Sequence, residues 1–291
     1  MEKDYKDLKF TDDFMFCKVL STNPDLCREL LALILKKDVK KIRLPEKQKP
    51  IEITSDGKGI RLDVYIEDDD TVYDIEMQTT IHANLPKRTR YYQGMIDLNL
   101  IERGADYSEL KPTYIIFICL EDPFDKGAPV YTMRNRCVEY DDLYLQDESI
   151  KVFLNASGSL DQISKELREF LLYVATGKIE GELSNALDHE VSKAKNKEEW
   201  RTEYMTLLMR DREKYNEGKA EGIAVGKAVG KAEGIAVGKA EGIAVGKAEG
   251  LSEGKIMMLL SLVDDGIIDM QEAIKRSGLS ENEVIKFREE H

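Results

Sequence analysis

Residues 59–80 read GIRLDVYIEDDDTVYDIEMQTT, two short strands joined by an acidic turn. Ile60, Leu62, Val64 and Ile66 alternate with Arg61, Asp63 and Tyr65, the period-two pattern of a half-buried strand. In the second run, Tyr73, Ile75 and Met77 share one face; Val72, Asp74, Glu76 and Gln78 share the other. Asp68, Asp69 and Asp70 are poor strand formers and good turn formers. A two-residue loop at Asp69-Asp70 places Asp63 directly across from Glu76, with side-chain roots about 5 Å apart. A different loop length would instead set Asp63 against Asp74. Like charges facing each other destabilise a sheet. A divalent cation between them resolves the conflict, because hard cations bind carboxylate oxygens. Solvated surface carboxylates are the plainer alternative.

Upstream, Thr11 or Asp12 can cap a helix through Leu20, and Asn23-Pro24 starts a second with a broad leucine-rich face. Lys36 to Lys49 then carries seven Lys/Arg against Asp38 and Glu46, a net +5. That stretch reads as a solvated basic loop or as a phosphate-contact patch with Lys37 and Lys41 among its cations. Downstream, Asn84 to Arg103 predicts a helix, with Pro86 near its start and Gly104 past its end. Arg88 and Tyr92 share a face at i,i+4. Lys87, Arg88 and Arg90 crowd its N-terminal end, where the helix dipole disfavours cations and a bound anion would offset the cost. Thr113 to Leu120 (TYIIFICL) predicts a strand buried on both faces, and Val130 to Val138 and Ile150 to Leu154 predict two more. The order of elements implies an α/β fold, a mixed central sheet flanked by helices.

The bulk numbers narrow the function classes. The 291 residues carry a net charge of −13, which argues against non-specific wrapping of nucleic acid without excluding a local basic patch. Neither a membrane-length apolar run nor a secretory leader is evident. Cys17, Cys27, Cys119 and Cys137 are scattered without a CxxC pair, as expected of reduced thiols in a cytoplasmic protein. With three histidines, none beside a cysteine pair, a structural zinc site is not expected.

From Ser159 to Tyr215 the pattern is helical. From Gly218 to Gly254 a glycine then falls at every fourth position, between KAE and IAV units. Ten glycines cost a helix roughly 1 kcal/mol each relative to alanine. The glycine stripe drifts about 40° per step and circles the helix in about 36 residues. A self-associating stalk and a flexible linker both fit. The tail from Lys255 returns to short amphipathic helices, with Ser280 and Glu283 spaced as a capping box. The RSGLSENEV turn resembles that of a helix-turn-helix, but the last helix is acidic, a poor surface for a major groove, so an oligomerisation cap is the favoured of the two readings.

Several words of the sequence occur together. They are TDDFMFCKVL near the start, RLDVY, DIEMQ, the long RTRYYQGMIDLNLIERGADYSELKPTYIIFICL, and VYTMRNRC. In combination, from about Thr11 to Asn155, they closely resemble the recombination-promoting nuclease (Rpn) and transposase-like family of the PD-(D/E)XK nuclease superfamily. The resemblance implies a restriction-endonuclease-like core. It implies that Asp63 and Glu76 hold a metal, Mg²⁺ with Mn²⁺ as a substitute, and that Gln78 occupies the place of the superfamily's lysine. Asp13 matches the aspartate of the first-helix motif; Arg88 and Tyr92 match a helix lying beside the site and contacting DNA. The domain organisation expected is a nuclease-like core over 1–157, a helical extension over 158–217, a glycine-repeat stalk or linker over 218–254, and a small helical domain over 255–291. The expected activity is Mg²⁺-dependent DNA endonuclease cleavage, in recombination, mobile DNA or defence, by a homo-oligomer joined through its C-terminal helices. The alternative is a DNA-binding or regulatory homo-oligomer with a weakened nuclease site.

Overall fold

The computed structural model describes residues 3–39, 42, 45–51, 59–68, 70–81 and 83–291. It divides into two compact units, 1–208 and 209–291. In the first, the described residues form one six-stranded sheet. Its strands are β1 (Glu46–Ile51), β2 (Ile60–Glu67), β3 (Val72–Gln78), β4 (Thr113–Cys119), β5 (Val130–Met133) and β6 (Ser149–Asn155). They lie in the order β1-β2-β3-β4-β6-β5. β3, β4 and β6 run parallel at the centre, and the outer pairings are antiparallel. Helix α3 (Leu85–Leu100) connects β3 to β4, a βαβ crossover.

One face of the sheet packs on α1 (Asp13–Thr22), α2 (Pro24–Leu35), α4 (Lys165–Thr176) and α5 (Glu182–Lys195). Met15, Phe16, Leu30, Leu31, Phe170 and Leu187 are buried there against Val64, Ile75, Ile116 and Leu154. The other face is covered by α3, whose Leu85, Met95 and Ile96 meet Leu62, Ile115 and Phe117. β4 is buried on both faces, as its unbroken apolar run requires.

Three local features depart from the sequence expectation. β1 falls within the expected basic loop; it is an edge strand whose polar, Pro50-containing sequence lacks the apolar alternation of a strand. β5 ends at Met133, five residues short of Val138. Asn23 stands between α1 and α2 but caps neither N-terminus through its side chain; its Nδ2 donates back to Val19 O (2.8 Å).

Helix α6 (Glu198–Asp264) contains the whole glycine repeat. Its first turns join the core of the first unit: Trp200, Leu207 and Leu208 pack on the core that α1, α2, α4 and α5 form with the sheet, and Glu203 accepts from Lys18 and from Lys47 (2.5 Å). From Gly218 to Gly254 every residue is exposed. In the second unit, the end of α6 packs with α7 (Met270–Ser277) and α8 (Glu281–Glu290) around Ile256, Leu260 and Val284. Ser280 N–H donates to Glu283 Oε2 (2.8 Å), closing the expected capping box.

Candidate metal centre

The hairpin ladder pairs Val64 with Ile75, Tyr65 with Asp74, Ile66 with Tyr73 and Glu67 with Val72. Asp68 N–H donates to Thr71 O (2.9 Å), closing the turn in the same register. Asp69 lies outside the described residues. One step beyond the ladder's end this register brings Asp63 to Glu76, not to Asp74. There the backbone pairing gives way to a reciprocal side-chain exchange. Asp63 N–H donates to Glu76 Oε1 (2.9 Å), and Met77 N–H donates to Asp63 Oδ2 (3.1 Å). Each carboxylate is thereby anchored on the opposite strand.

The ladder is interrupted on the other side of Asp63 as well. β1 pairs Lys47 with Val64 and Lys49 with Leu62, skipping Gln48. Gln48 has φ +47°, a left-handed conformation costing a non-glycine residue about 1–3 kcal/mol. The alternation of β2 slips at this step. Ile60 and Leu62 pack with the α3-side cluster, while Val64 and Ile66 pack on the opposite face. The single apolar face expected over Ile60–Ile66 is therefore corrected to two half-faces meeting at Asp63. Gln48 Nε2, released from the ladder, donates to Asp13 Oδ2 (3.1 Å).

Helices from the two sheet faces converge on this opening. On α1, Asp13 and Cys17 stand one turn apart; Cys17 Sγ lies 3.6 Å from Asp13 Oδ1, and a ligand atom from each of Asp13, Cys17 and Asp63 lies within 4.8 Å of the others. On α3, Arg88 Nη2 donates to Gln78 Oε1 (2.9 Å) and approaches Glu76 Oε2 (3.5 Å). Gln78 Nε2 donates to Thr80 O (2.6 Å), so both ends of the amide are committed. The guanidinium lies 5.4 Å from the Tyr92 ring centre and 5.0 Å from that of Phe117. A cleft of about 810 Å³ opens over these groups, with Arg61, Lys87 and Arg90 in its wall.

The electrostatics suit a cation. Burial, then the charges of Glu76 and Asp13, push the Asp63 carboxyl up to about 8. Burial pushes Glu76 up to about 7, against the lowering effect of the Asp63 N–H and Arg88. Burial, then the charges of Asp63 and Asp13, holds the Cys17 thiol far above its usual range. Asp74, two residues before Glu76 on the same strand face, is 0% exposed, and neither carboxylate oxygen meets a hydrogen-bond donor. Glu76 can partner Asp74 only if one of the two carboxyls holds a proton, and complete burial assigns that proton to Asp74. The donor set is hard carboxylates packed closely, with Arg88 3.5 Å from Glu76 and Arg61 3.6 Å from Asp13 as neighbouring cations, and it fits a divalent ion.

Asp63, Glu76, Gln78, Asp13, Arg88 and Tyr92 thus gather at one opening. Lys37 does not: its Nζ stacks on the Tyr114 ring (4.1 Å) at the start of the parallel strands, on the face opposite α3. Lys41 lies outside the described residues. From sequence, Cys17 reads only as a reduced thiol and Asp74 only as the alternative partner of Asp63; neither is named there as a site residue. Their signals were the i+4 spacing from Asp13 and the shared strand face with Glu76.

The chain belongs to the family described as PD-(D/E)XK nuclease family transposase, whose model matches residues 10–217. PD-(D/E)XK nucleases generally use divalent metals. No curated protein and no solved structure matches the chain. Among the described residues, no helix is long and apolar enough to cross a membrane.

Proposed function

We propose that this protein is a Mg²⁺-dependent DNA endonuclease, with Mn²⁺ as a substitute ion, hydrolysing phosphodiester bonds in recombination, mobile-DNA or defence processes. The supporting observation is the reciprocal anchoring of Asp63 and Glu76 at the opening between β2 and β3, with Arg88 and Gln78 alongside. Asp63 and Glu76 would hold the ion, and Asp13 would assist from α1. A divalent ion bound there lowers the pKa of a coordinated water and offsets charge gathering on the phosphate. Gln78 carries no charge, and its amide orients rather than accepts a proton. Arg88, hydrogen-bonded to that amide, brings to the site the positive charge that a lysine at position 78 would carry. Lys87 and Arg90, in the cleft wall on the first turns of α3, offer phosphate contacts, with Tyr92 beneath Arg88 holding its plane. Lys37, away from the opening, would contact DNA outside the site, and Lys41 is proposed as a DNA contact from its place in the basic run of the sequence. Cleavage of plasmid with Mg²⁺ or Mn²⁺, lost in Asp63→Asn, tests this reading.

The second reading is a DNA-binding or regulatory homo-oligomer with a weakened site, favoured by Gln78, whose two ends are already engaged. DNA binding without cleavage, and no metal binding that depends on Asp63 and Glu76, would select it. We further propose that 1–157 is the cutting core and 158–217 its helical support, that 218–254 is a stalk, and that 255–291 caps it. Self-association through the stalk is supported by its ten exposed glycines, where an added Cβ would meet nothing within the chain. The protein is taken to act in the cytoplasm.

A further inference from the structure

We propose that Asp13, Cys17 and Asp63 form a second, softer cation seat, which takes up thiophilic divalent ions of the Zn²⁺ and Cd²⁺ class and shares Asp63 with the Asp63–Glu76 pair. This inference rests on the reading of Asp63 as a metal ligand. One sulfur and two carboxylate oxygens from these residues lie within 4.8 Å of one another. Donors to one tetrahedral ion, with metal–sulfur and metal–oxygen bonds of about 2.0–2.3 Å, sit roughly 3.5–4 Å apart. Cys17 Sγ and Asp13 Oδ1 already meet this spacing at 3.6 Å, and the half-exposed Asp13 side chain, on the first turn of α1, has room to adjust. Cys17 is 1% exposed, while Asp13 and Asp63 line the cleft.

The two seats differ in chemistry. Asp63 with Glu76 offers oxygen alone, suited to Mg²⁺. Asp13, Cys17 and Asp63 add a sulfur, which selects zinc-like ions over Mg²⁺. On binding, the S–H bond of Cys17 breaks, a sulfur–metal bond forms, and the proton leaves to buffer. Because Asp63 serves both seats, a soft ion excludes the hard one. The soft ion therefore inhibits rather than activates.

The test titrates Cd²⁺ into the full-length protein, following the ultraviolet sulfur-to-cadmium charge-transfer band, and separately follows Mn²⁺ binding by paramagnetic resonance. One equivalent of Cd²⁺ is expected to produce the band and to displace Mn²⁺. In Cys17→Ala and Cys17→Ser, checked for folding by circular dichroism, Cd²⁺ affinity falls about tenfold or more while Mn²⁺ still binds. Cys137→Ser, on a separate and more exposed thiol, keeps the band. A band unchanged in both Cys17 variants overturns the proposal, as does Mn²⁺ binding in the wild type with no band on adding Cd²⁺. Absence of both Mn²⁺ and Cd²⁺ binding overturns it too, and that result alone also removes the metal reading of Asp63.

Discussion

The opening at Asp63 and the glycine-rich length of α6 are both locally unfavourable, in opposite ways. At Asp63 the chain buries like charges, twists Gln48 into a left-handed conformation and leaves Asp74 without a donor. All but the Asp74 cost are tied to a named neighbour: Glu76 to the Asp63 N–H, Asp63 to the Met77 N–H, Gln48 to Asp13. Along 218–254 the glycines forgo helix stability with no neighbour to show for it. Strain that is held by specific contacts marks a site whose missing partner is small and charged. The uncontacted glycines fit the self-association proposed for α6.

The largest effect expected is on chemistry. Asp63→Asn should reduce metal-dependent cleavage by several kcal/mol, about 10³-fold, in a plasmid-nicking assay. Arg88→Gln should cost about 10–100-fold and Arg88→Lys less, since lysine restores charge but not the fork that meets Gln78. If Arg88→Gln cuts as well as wild type, positive charge at that point is not part of the site.

Metal affinity should climb with pH. Asp63 and Glu76, raised to about 8 and about 7, must lose protons to bind an ion. Mn²⁺ affinity should therefore rise between about pH 6 and 8, by up to about tenfold per pH unit for each proton displaced. Calorimetry in buffers of different ionisation enthalpy checks the proton release. In metal-free protein the sign reverses. Both groups are raised on folding, so their contribution to stability is complete below about pH 4 and lost as pH climbs through 7–8. Asp63→Asn should then raise stability at pH 8 by about 1–3 kcal/mol while abolishing cleavage, since removing a functional charge relieves its cost. A variant that is both inactive and less stable would break the contrast with α6.

For α6 the contrast sharpens through Gly230→Ala, Gly234→Ala, Gly238→Ala and Gly242→Ala together. Helix stability should rise by about 1 kcal/mol per site, and self-association measured by light scattering should weaken. Unchanged association would remove the glycines from that role. The smallest effect belongs to Lys37→Ala, which should lower the salt slope of DNA binding by about 1 and leave cleavage chemistry intact.

How far the sequence led differs between the same two regions. The Asp68–Asp70 run and the alternation of β3 narrowed the hairpin to two registers, Asp63 opposite Glu76 or opposite Asp74, and the ladder takes the first. The buried central strand followed from the unbroken apolar run of β4, whereas its parallel pairing with β3 and β6 was not read from the sequence. β1 was not legible, since an edge strand needs no apolar face and EKQKPI shows none. The slip at Asp63 was also hidden: strict alternation was the only pattern available, and the break comes from Gln48 on another strand. Cys17 and Asp74 joined the site through tertiary packing of α1 and burial of β3, which spacing alone suggests for too many residues to single these out.

The most direct test is the purified full-length protein incubated with supercoiled plasmid and Mg²⁺ or Mn²⁺, beside Asp63→Asn. The wild type should nick the plasmid only with the ion present, and Asp63→Asn should not. Equal nicking by both proteins, or none by the wild type with either ion, would contradict the placement of phosphodiester chemistry at Asp63 and Glu76.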